Sequence, residues 1–126
     1  MSKHDPRVTL QYLRNAIREA EDIGRGLTVD QLHESRVLTL AFERCFEIIG
    51  EAIKRLPPDL CAKYPQVEWK KAAGARDRVI HDYDQVEHRV LLDAVRMHFP
   101  ILTRTIVQML ADLGGEFPTE EQPPSP

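Results

Sequence analysis

The sequence predicts an all-α protein, an antiparallel bundle of four to five helices. Apolar residues recur at three- and four-residue steps along most of the 126-residue chain. Strand-like alternation, Asn-Gly or Asp-Gly hairpin signals and glycine-rich phosphate loops do not occur in the sequence. Paired prolines and glycines interrupt the apolar pattern where helices would end. A chain of this length buries one core, so we predict a single helical domain over residues 1–113.

The first two helices are predicted from their caps. Asp5-Pro6 is typical of an N-cap followed by proline in the first turn, and the apolar pattern continues to the Gly24–Gly26 region. Thr28, or Asp30 alone, could cap a second helix that continues to Leu56. The apolar face of this second helix is broad, which indicates contact with more than one neighbour.

The second half of the chain shows two further helices. Pro57-Pro58 ends the second helix, and residues 59–63 leave room for one short turn. A third helix is predicted from Gln66 onward. Asp84, with Glu87 three residues later, predicts the cap of a last amphipathic stretch to residue 113, which Pro100 should kink or split.

Residues 114–126 form a compositionally distinct tail. After Gly114-Gly115 they hold four of the nine prolines and three glutamates. Such a composition buries too little apolar surface to offset the entropy of ordering, so we predict a disordered C-terminal tail.

Charge and cysteine content exclude several classes of protein. The net charge is -3 and the pI about 5.9, so nucleic acid could be bound only locally. Residues 63–81 form such a local region, with five basic and two acidic side chains, although a solvated helix face would have the same composition. The two cysteines form no Cys-x-x-Cys pair, and no apolar run is long enough for a membrane span. These features predict a cytoplasmic protein.

One short segment combines side chains suited to phosphodiester chemistry. Arg76 offers a permanent charge for phosphate oxygens, and His81 a base that works near neutral pH. Tyr83 adds a phenol two residues later. Chance alone predicts about 1.4 arginine–histidine pairs at such spacing in this composition, but about 0.03 once the tyrosine is required. The triple pattern is therefore informative, whereas the pair alone is not.

The pattern Arg-x4-His-x-Tyr resembles the signature of the HepT toxins, helical ribonucleases of the HEPN superfamily. Residues 42–52, Phe-Glu-Arg-Cys-Phe-Glu-Ile-Ile-Gly-Glu-Ala, followed by Leu56-Pro57, are similar to the long second helix of that family. Trp69 also matches an aromatic residue that usually precedes the motif. The resemblance extends over roughly Pro6 to Leu113.

The resemblance implies a function and its residues. Arg76 and His81 would be catalytic, with Asp77 in support, in a metal-independent RNA endonuclease that needs no cofactor. Two protomers would bring their motifs together in a homodimer or larger homo-oligomer. A nucleotidyltransferase antitoxin would inhibit the toxin by attaching AMP to Tyr83. This role is physically reasonable, because a tethered phosphoryl group would occupy the cationic pocket that binds RNA phosphate.

Other interpretations of these residues remain open. On an ideal helix His81 points about 140° away from Arg76, so either the helix distorts or a second chain completes the site. His81 and Arg76 could be structural, and Tyr83 could simply pack. His81, Asp82, Asp84 and His88 match no metal-binding spacing, so we predict no metal site. The alternative functions are a non-catalytic helical adaptor for a nucleotidyltransferase and a nucleotide-binding module.

Overall fold

The computed structural model describes residues 5–74 and 85–114, apart from the side chains of residues 85–87. All regular structure in these ranges is helical, which confirms the predicted fold class. The helices are α1 (Pro6–Gly24), α2 (Val29–Glu34), α3 (Arg36–Arg55), α4 (Pro58–Cys61), α5 (Trp69–Ala73), α6 (Gln85–Met97) and α7 (Phe99–Leu113). The four long helices, α1, α3, α6 and α7, form the bundle. The predicted tail, apart from Gly114, lies outside the described residues, so its disorder remains a prediction.

Helix α1 packs along α3 and also contacts α6 and α7. A Cβ atom on Gly24, at the end of α1, would lie 3.4 Å from the ring of Phe42 in the first half of α3. Tyr12, near the start of α1, shares a groove with Arg55 at the end of α3. The two helices therefore run antiparallel, as predicted.

The core lies between the long helices and is aromatic at its centre. The Phe42 and Phe46 rings meet edge to face, with centroids 5.1 Å apart, and the Phe46 ring lies 5.4 Å from that of Phe99. All three side chains are buried. Because α3 supplies two of these rings and contacts α1, α2 and α5, its broad apolar face is used on several sides, as predicted.

Local capping signals form as expected at the first two helix starts. The Asp5 side chain accepts a hydrogen bond of 3.0 Å from the Arg7 amide, and Pro6 occupies the first turn. Thr28 and Gln31 form a reciprocal capping box, with both hydrogen bonds at 3.0 Å. Thr28 rather than Asp30 is therefore the cap of α2.

The prediction of one helix from residue 28 to Leu56 was wrong, because the chain breaks at Ser35. Ser35 is extended, and its side chain accepts a hydrogen bond from the Leu38 amide at 3.1 Å, which starts α3. The Leu32 carbonyl at the end of α2 accepts a hydrogen bond of 2.7 Å from the buried Thr39 hydroxyl. These side chains satisfy the backbone groups that a helix break exposes.

The later boundaries follow the prolines. Helix α4 is the predicted short turn, and a break at His98 separates α6 from α7, with Pro100 in the first turn of α7. Helix α5 begins at Trp69 rather than Gln66, because the residues after Tyr64 form a turn in which the Val67 amide donates to the Tyr64 carbonyl at 3.3 Å. None of the described helices is long and apolar enough to cross a membrane.

Candidate active site

The four residues predicted to carry chemistry lie between α5 and α6, outside the described residues. They are Arg76, Asp77, His81 and Tyr83. The Gly74 amide, which donates to the Lys70 and Lys71 carbonyls at 3.1 Å, ends the described chain on one side. Helix α6 resumes it at Gln85. The described residues therefore define how both flanks of the candidate segment are held.

The flank that leads into the segment is fixed by tryptophan and tyrosine. The Trp69 indole donates a hydrogen bond of 3.0 Å to the Tyr64 carbonyl, which orients the first turn of α5. The Tyr64 hydroxyl, in a buried side chain, donates to Asp112 Oδ2 of α7 at 2.6 Å. This hydrogen bond, together with burial and the nearby negative charge, raises the pKa of Tyr64. The connector before α5 is thus tied to the last helix.

The flank that follows the segment is held by His88, in the first turns of α6. Its side chain is buried, and its Nε2 atom lies 3.0 Å from Oε2 of Glu43 on α3. Its Nδ1 atom lies 3.3 Å from Nδ1 of His33 on α2. One imidazole therefore joins three helices five residues after Tyr83.

Hydrogen-bond chemistry assigns the proton positions in this cluster. An ionised Glu43 can only accept, so His88 Nε2 must donate to it. The Nδ1 atom of a neutral His88 is then an acceptor, and His33 Nδ1 is the donor.

Sequence reasoning missed this cluster, although part of the signal was present. His88 precedes Leu91 by three residues and Val95 by seven, so it lies on the apolar face of α6. A histidine on a buried face needs polar partners. The sequence gives no spacing that identifies Glu43 and His33 as those partners, since they lie 45 and 55 residues away.

The basic stretch predicted near the motif is exposed where the structure describes it. Lys63, Lys70 and Lys71 all face solvent. Lys71 forms an exposed ion pair of 3.3 Å with Glu68. The approach to the candidate segment therefore has positive charge that is accessible to an anion.

The described groove between α1 and α3 offers a different surface, with a volume of about 350 Å³. Arg44 and Arg55 line it together with Glu47 and Glu51. Arg44 pairs with Glu47 at 3.0 Å. Because two basic and two acidic side chains line it, the groove as a whole has no net positive charge.

Other catalytic chemistries find little support among the described residues. Burial, with a smaller contribution from Glu19, raises the pKa of Cys45 to about 11, and burial also raises the pKa of Cys61. Neither thiol is therefore a thiolate nucleophile at neutral pH. Within residues 5–74 and 85–114, no three acidic, histidine or cysteine side chains are placed to hold a metal ion.

Comparison with known proteins shows the family to which this chain belongs. The sequence profile of the family described as "Ribonuclease HepT-like" matches residues 13–109. This range includes the whole segment from Arg76 to Tyr83. It also includes Trp69, which precedes the segment, and all three residues of the His33–Glu43–His88 cluster. No solved structure matches the chain.

Three relatives illustrate the similarity. A protein of Caldanaerobacter subterraneus subsp. tengcongensis, named provisionally as an RNase, is 35% identical over 102 residues, which cover 79% of this chain and 91% of the relative. One of Methanocaldococcus jannaschii, named in the same way, is 34% identical over 116 residues, which cover 92% and 96%. The "Probable ribonuclease HepT" of Thermococcus cleftensis is 33% identical over 93 residues, which cover 74% and 84%.

Proposed function

Because the chain belongs to the HepT-like ribonuclease family, we propose that it is a metal-independent RNA endonuclease of the cytoplasm. It would be the toxin of a bacterial or archaeal toxin–antitoxin system. The observation that carries the proposal is the Arg76, His81 and Tyr83 pattern inside the matched range. The hydrogen-bonded flanks described above support it, because a catalytic segment requires fixed ends.

The proposed reaction is transesterification within RNA. His81 removes the proton of a 2′-hydroxyl, and the resulting oxygen attacks the adjacent phosphorus. The bond from phosphorus to the 5′-oxygen breaks, His81 then acts as the acid that protonates that oxygen, and a 2′,3′-cyclic phosphate remains. Arg76 stabilises the negative charge that grows on the non-bridging oxygens, and Asp77 supports the site.

The proposed active form is a homodimer. On ideal helical geometry one protomer does not bring Arg76 and His81 together, so a second protomer would complete each site. A monomer at micromolar concentration, in sedimentation of the purified protein, would contradict this arrangement.

The proposed control is covalent modification by a partner. A nucleotidyltransferase antitoxin would attach AMP through the phenol oxygen of Tyr83. The added phosphoryl group would place negative charge next to Arg76 and His81 and exclude the RNA phosphate.

The test is cleavage of RNA in EDTA by protein that mass spectrometry shows to be free of AMP. Wild type is compared with His81→Ala, and His98→Ala, at an exposed histidine between α6 and α7, is the matched control. We expect wild type and His98→Ala to leave cyclic phosphate ends and His81→Ala to be inactive. An inactive wild type would instead favour the adaptor, which needs Tyr83 but not His81.

A further inference from the structure

Positive charge in this protein is concentrated around the end of α3 and the start of the candidate segment. Residues 54–71 carry five basic and two acidic side chains, a balance of +3, whereas the whole chain has 17 basic and 20 acidic residues. The other 108 residues therefore hold 12 basic and 18 acidic side chains, a balance of -6. Four of the five lysines lie in this short stretch.

The fold keeps these basic residues on the surface. All five are exposed, and we call them the lysine surface: Lys54, Arg55, Lys63, Lys70 and Lys71. Two lie in the last turn of α3, one in the connector and two on α5. Because α5 packs directly against α3, and the connector joins them within 13 residues, the three regions lie on neighbouring elements of the fold.

Few of these charges are neutralised within the protein. Lys71 pairs with Glu68 at 3.3 Å, and both side chains are largely exposed. The other four form no ion pair in the parts of the chain that the structure describes. Lys54 and Arg55 also counter the negative end of the α3 dipole, but that role leaves their charged groups in water.

We propose that the lysine surface binds the sugar–phosphate backbone of the single-stranded RNA substrate. This inference rests on the proposed function, and it names the surface on which the proposed ribonuclease would bind its substrate. Flexible lysines act as point charges that follow phosphates without selecting bases. Lys71 precedes Arg76 by five residues, so RNA held on this surface is close along the chain to the residues proposed to cut it.

The test separates binding from cleavage. The parent is the full chain carrying His81→Ala, which binds without cutting, and the ligand is a short unstructured RNA with a fluorescent label. Lys54→Gln, Lys63→Gln and Lys70→Gln are combined in one variant. The control combines Arg18→Gln, Arg36→Gln and Arg104→Gln, which remove the same charge from exposed positions elsewhere. Fluorescence anisotropy gives Kd at several KCl concentrations.

We expect the lysine variant to bind more weakly and its slope of log Kd against log salt to fall by about 2, since each lost phosphate contact contributes about 0.7. The control should keep the parent slope. Equal slopes in the two variants, or no RNA binding by the parent, would overturn the proposal. Cleavage by wild type is measured in parallel. If the lysine variant loses salt-dependent binding but wild type does not cleave RNA, the lysine surface is supported and the ribonuclease proposal is rejected. If wild type cleaves RNA but the lysine variant and the control have equal slopes, the ribonuclease proposal is supported and the lysine surface is rejected.

Discussion

Glu43 accepts a hydrogen bond of 3.0 Å from the buried imidazole of His88, and this contact joins α3 to the helix that follows the candidate catalytic segment. Both side chains of this hydrogen bond are largely buried, with 5% and 20% of their surface exposed. Its loss leaves a polar imidazole buried without its acceptor.

The first prediction concerns this pair. Glu43→Ala should lower the free energy of unfolding by about 2 kcal/mol, because His88 keeps its burial but loses its acceptor. Glu47→Ala removes the Arg44–Glu47 pair, whose arginine is 67% exposed, and should cost about 0.5 kcal/mol or less. Urea denaturation at neutral pH measures both. Equal losses would contradict the buried role of Glu43.

The tyrosine that supports α5 gives a second prediction. Tyr64→Phe removes the 2.6 Å hydrogen bond to Asp112 and should lower the free energy of unfolding by about 1 kcal/mol. Since hydrogen bonding raises the pKa of Tyr64, its phenol should ionise at higher pH in the folded protein than in urea. Ultraviolet titration of the Tyr12→Phe/Tyr83→Phe variant isolates this group. Ionisation at the same pH in both states would refute the bond.

The cap of α1 gives a third prediction, which depends on pH. The pKa of Asp5 is lowered from 3.8, chiefly by the side-chain hydrogen bond from Arg7. The stabilisation is therefore complete above pH 3.8 and is lost as the pH falls through the lowered value. Asp5→Ala should cost about 1 kcal/mol at pH 7 and less in strong acid. Asp5→Asn, which can still cap, is the control and should cost less at pH 7.

Thiol reactivity gives a fourth prediction. Burial raises the pKa of Cys45 to about 11, so in the Cys61→Ser variant iodoacetamide should react slowly with the folded protein at pH 8 and rapidly after unfolding. Because the folded pKa exceeds the reference value of 9.0, stability from this group should fall as the pH rises from 9 towards 11. Fast labelling of the folded protein would show that Cys45 is accessible.

A fifth prediction concerns Arg76, and it distinguishes the effect of its positive charge from the effect of its planar donor geometry. Arg76→Lys keeps the positive charge but loses the planar pair of donors, so kcat for RNA should fall by about 10-fold or more. Arg76→Ala should lower it by about 10² to 10³. Arg104→Ala, at an exposed arginine of α7, is the control. Unchanged kcat in Arg76→Ala would remove this residue from the proposed site.

Local sequence signals predicted much of the fold. Asp5-Pro6, the Thr28 and Gln31 capping box, and the prolines at 57, 58 and 100 act through neighbouring backbone groups, so sequence spacing is sufficient to recognise them. The break at Ser35 was missed, because apolar spacing continues across it and no proline or glycine marks it. At the break the Ser35 side chain caps α3, and the Thr39 hydroxyl donates to the Leu32 carbonyl seven residues before it.

The same distinction between local and long-range contacts applies to the residues of the candidate site. Residues 76–83 could be proposed as the candidate segment because the motif is short and contiguous, and their role remains a prediction. The His33, Glu43 and His88 cluster could not, because it is assembled from three helices whose approach is set by packing of the core. His33 is an exposed residue, although its Nδ1 atom lies 3.3 Å from Nδ1 of His88.

The contact between Arg7 and Gly114 has a consequence for engineering. The Arg7 guanidinium donates a hydrogen bond of 3.0 Å to the Gly114 carbonyl, so the first turn of α1 and the end of α7 are neighbours. Gly114 itself has a φ of 64°, a conformation that glycine adopts at low cost. A short linker could therefore join these two points. New termini could be opened in the turn at Gly26, which has a φ of 75° and where an added Cβ atom would meet nothing within 4 Å. Such a circular permutant would keep each of the four long described helices intact.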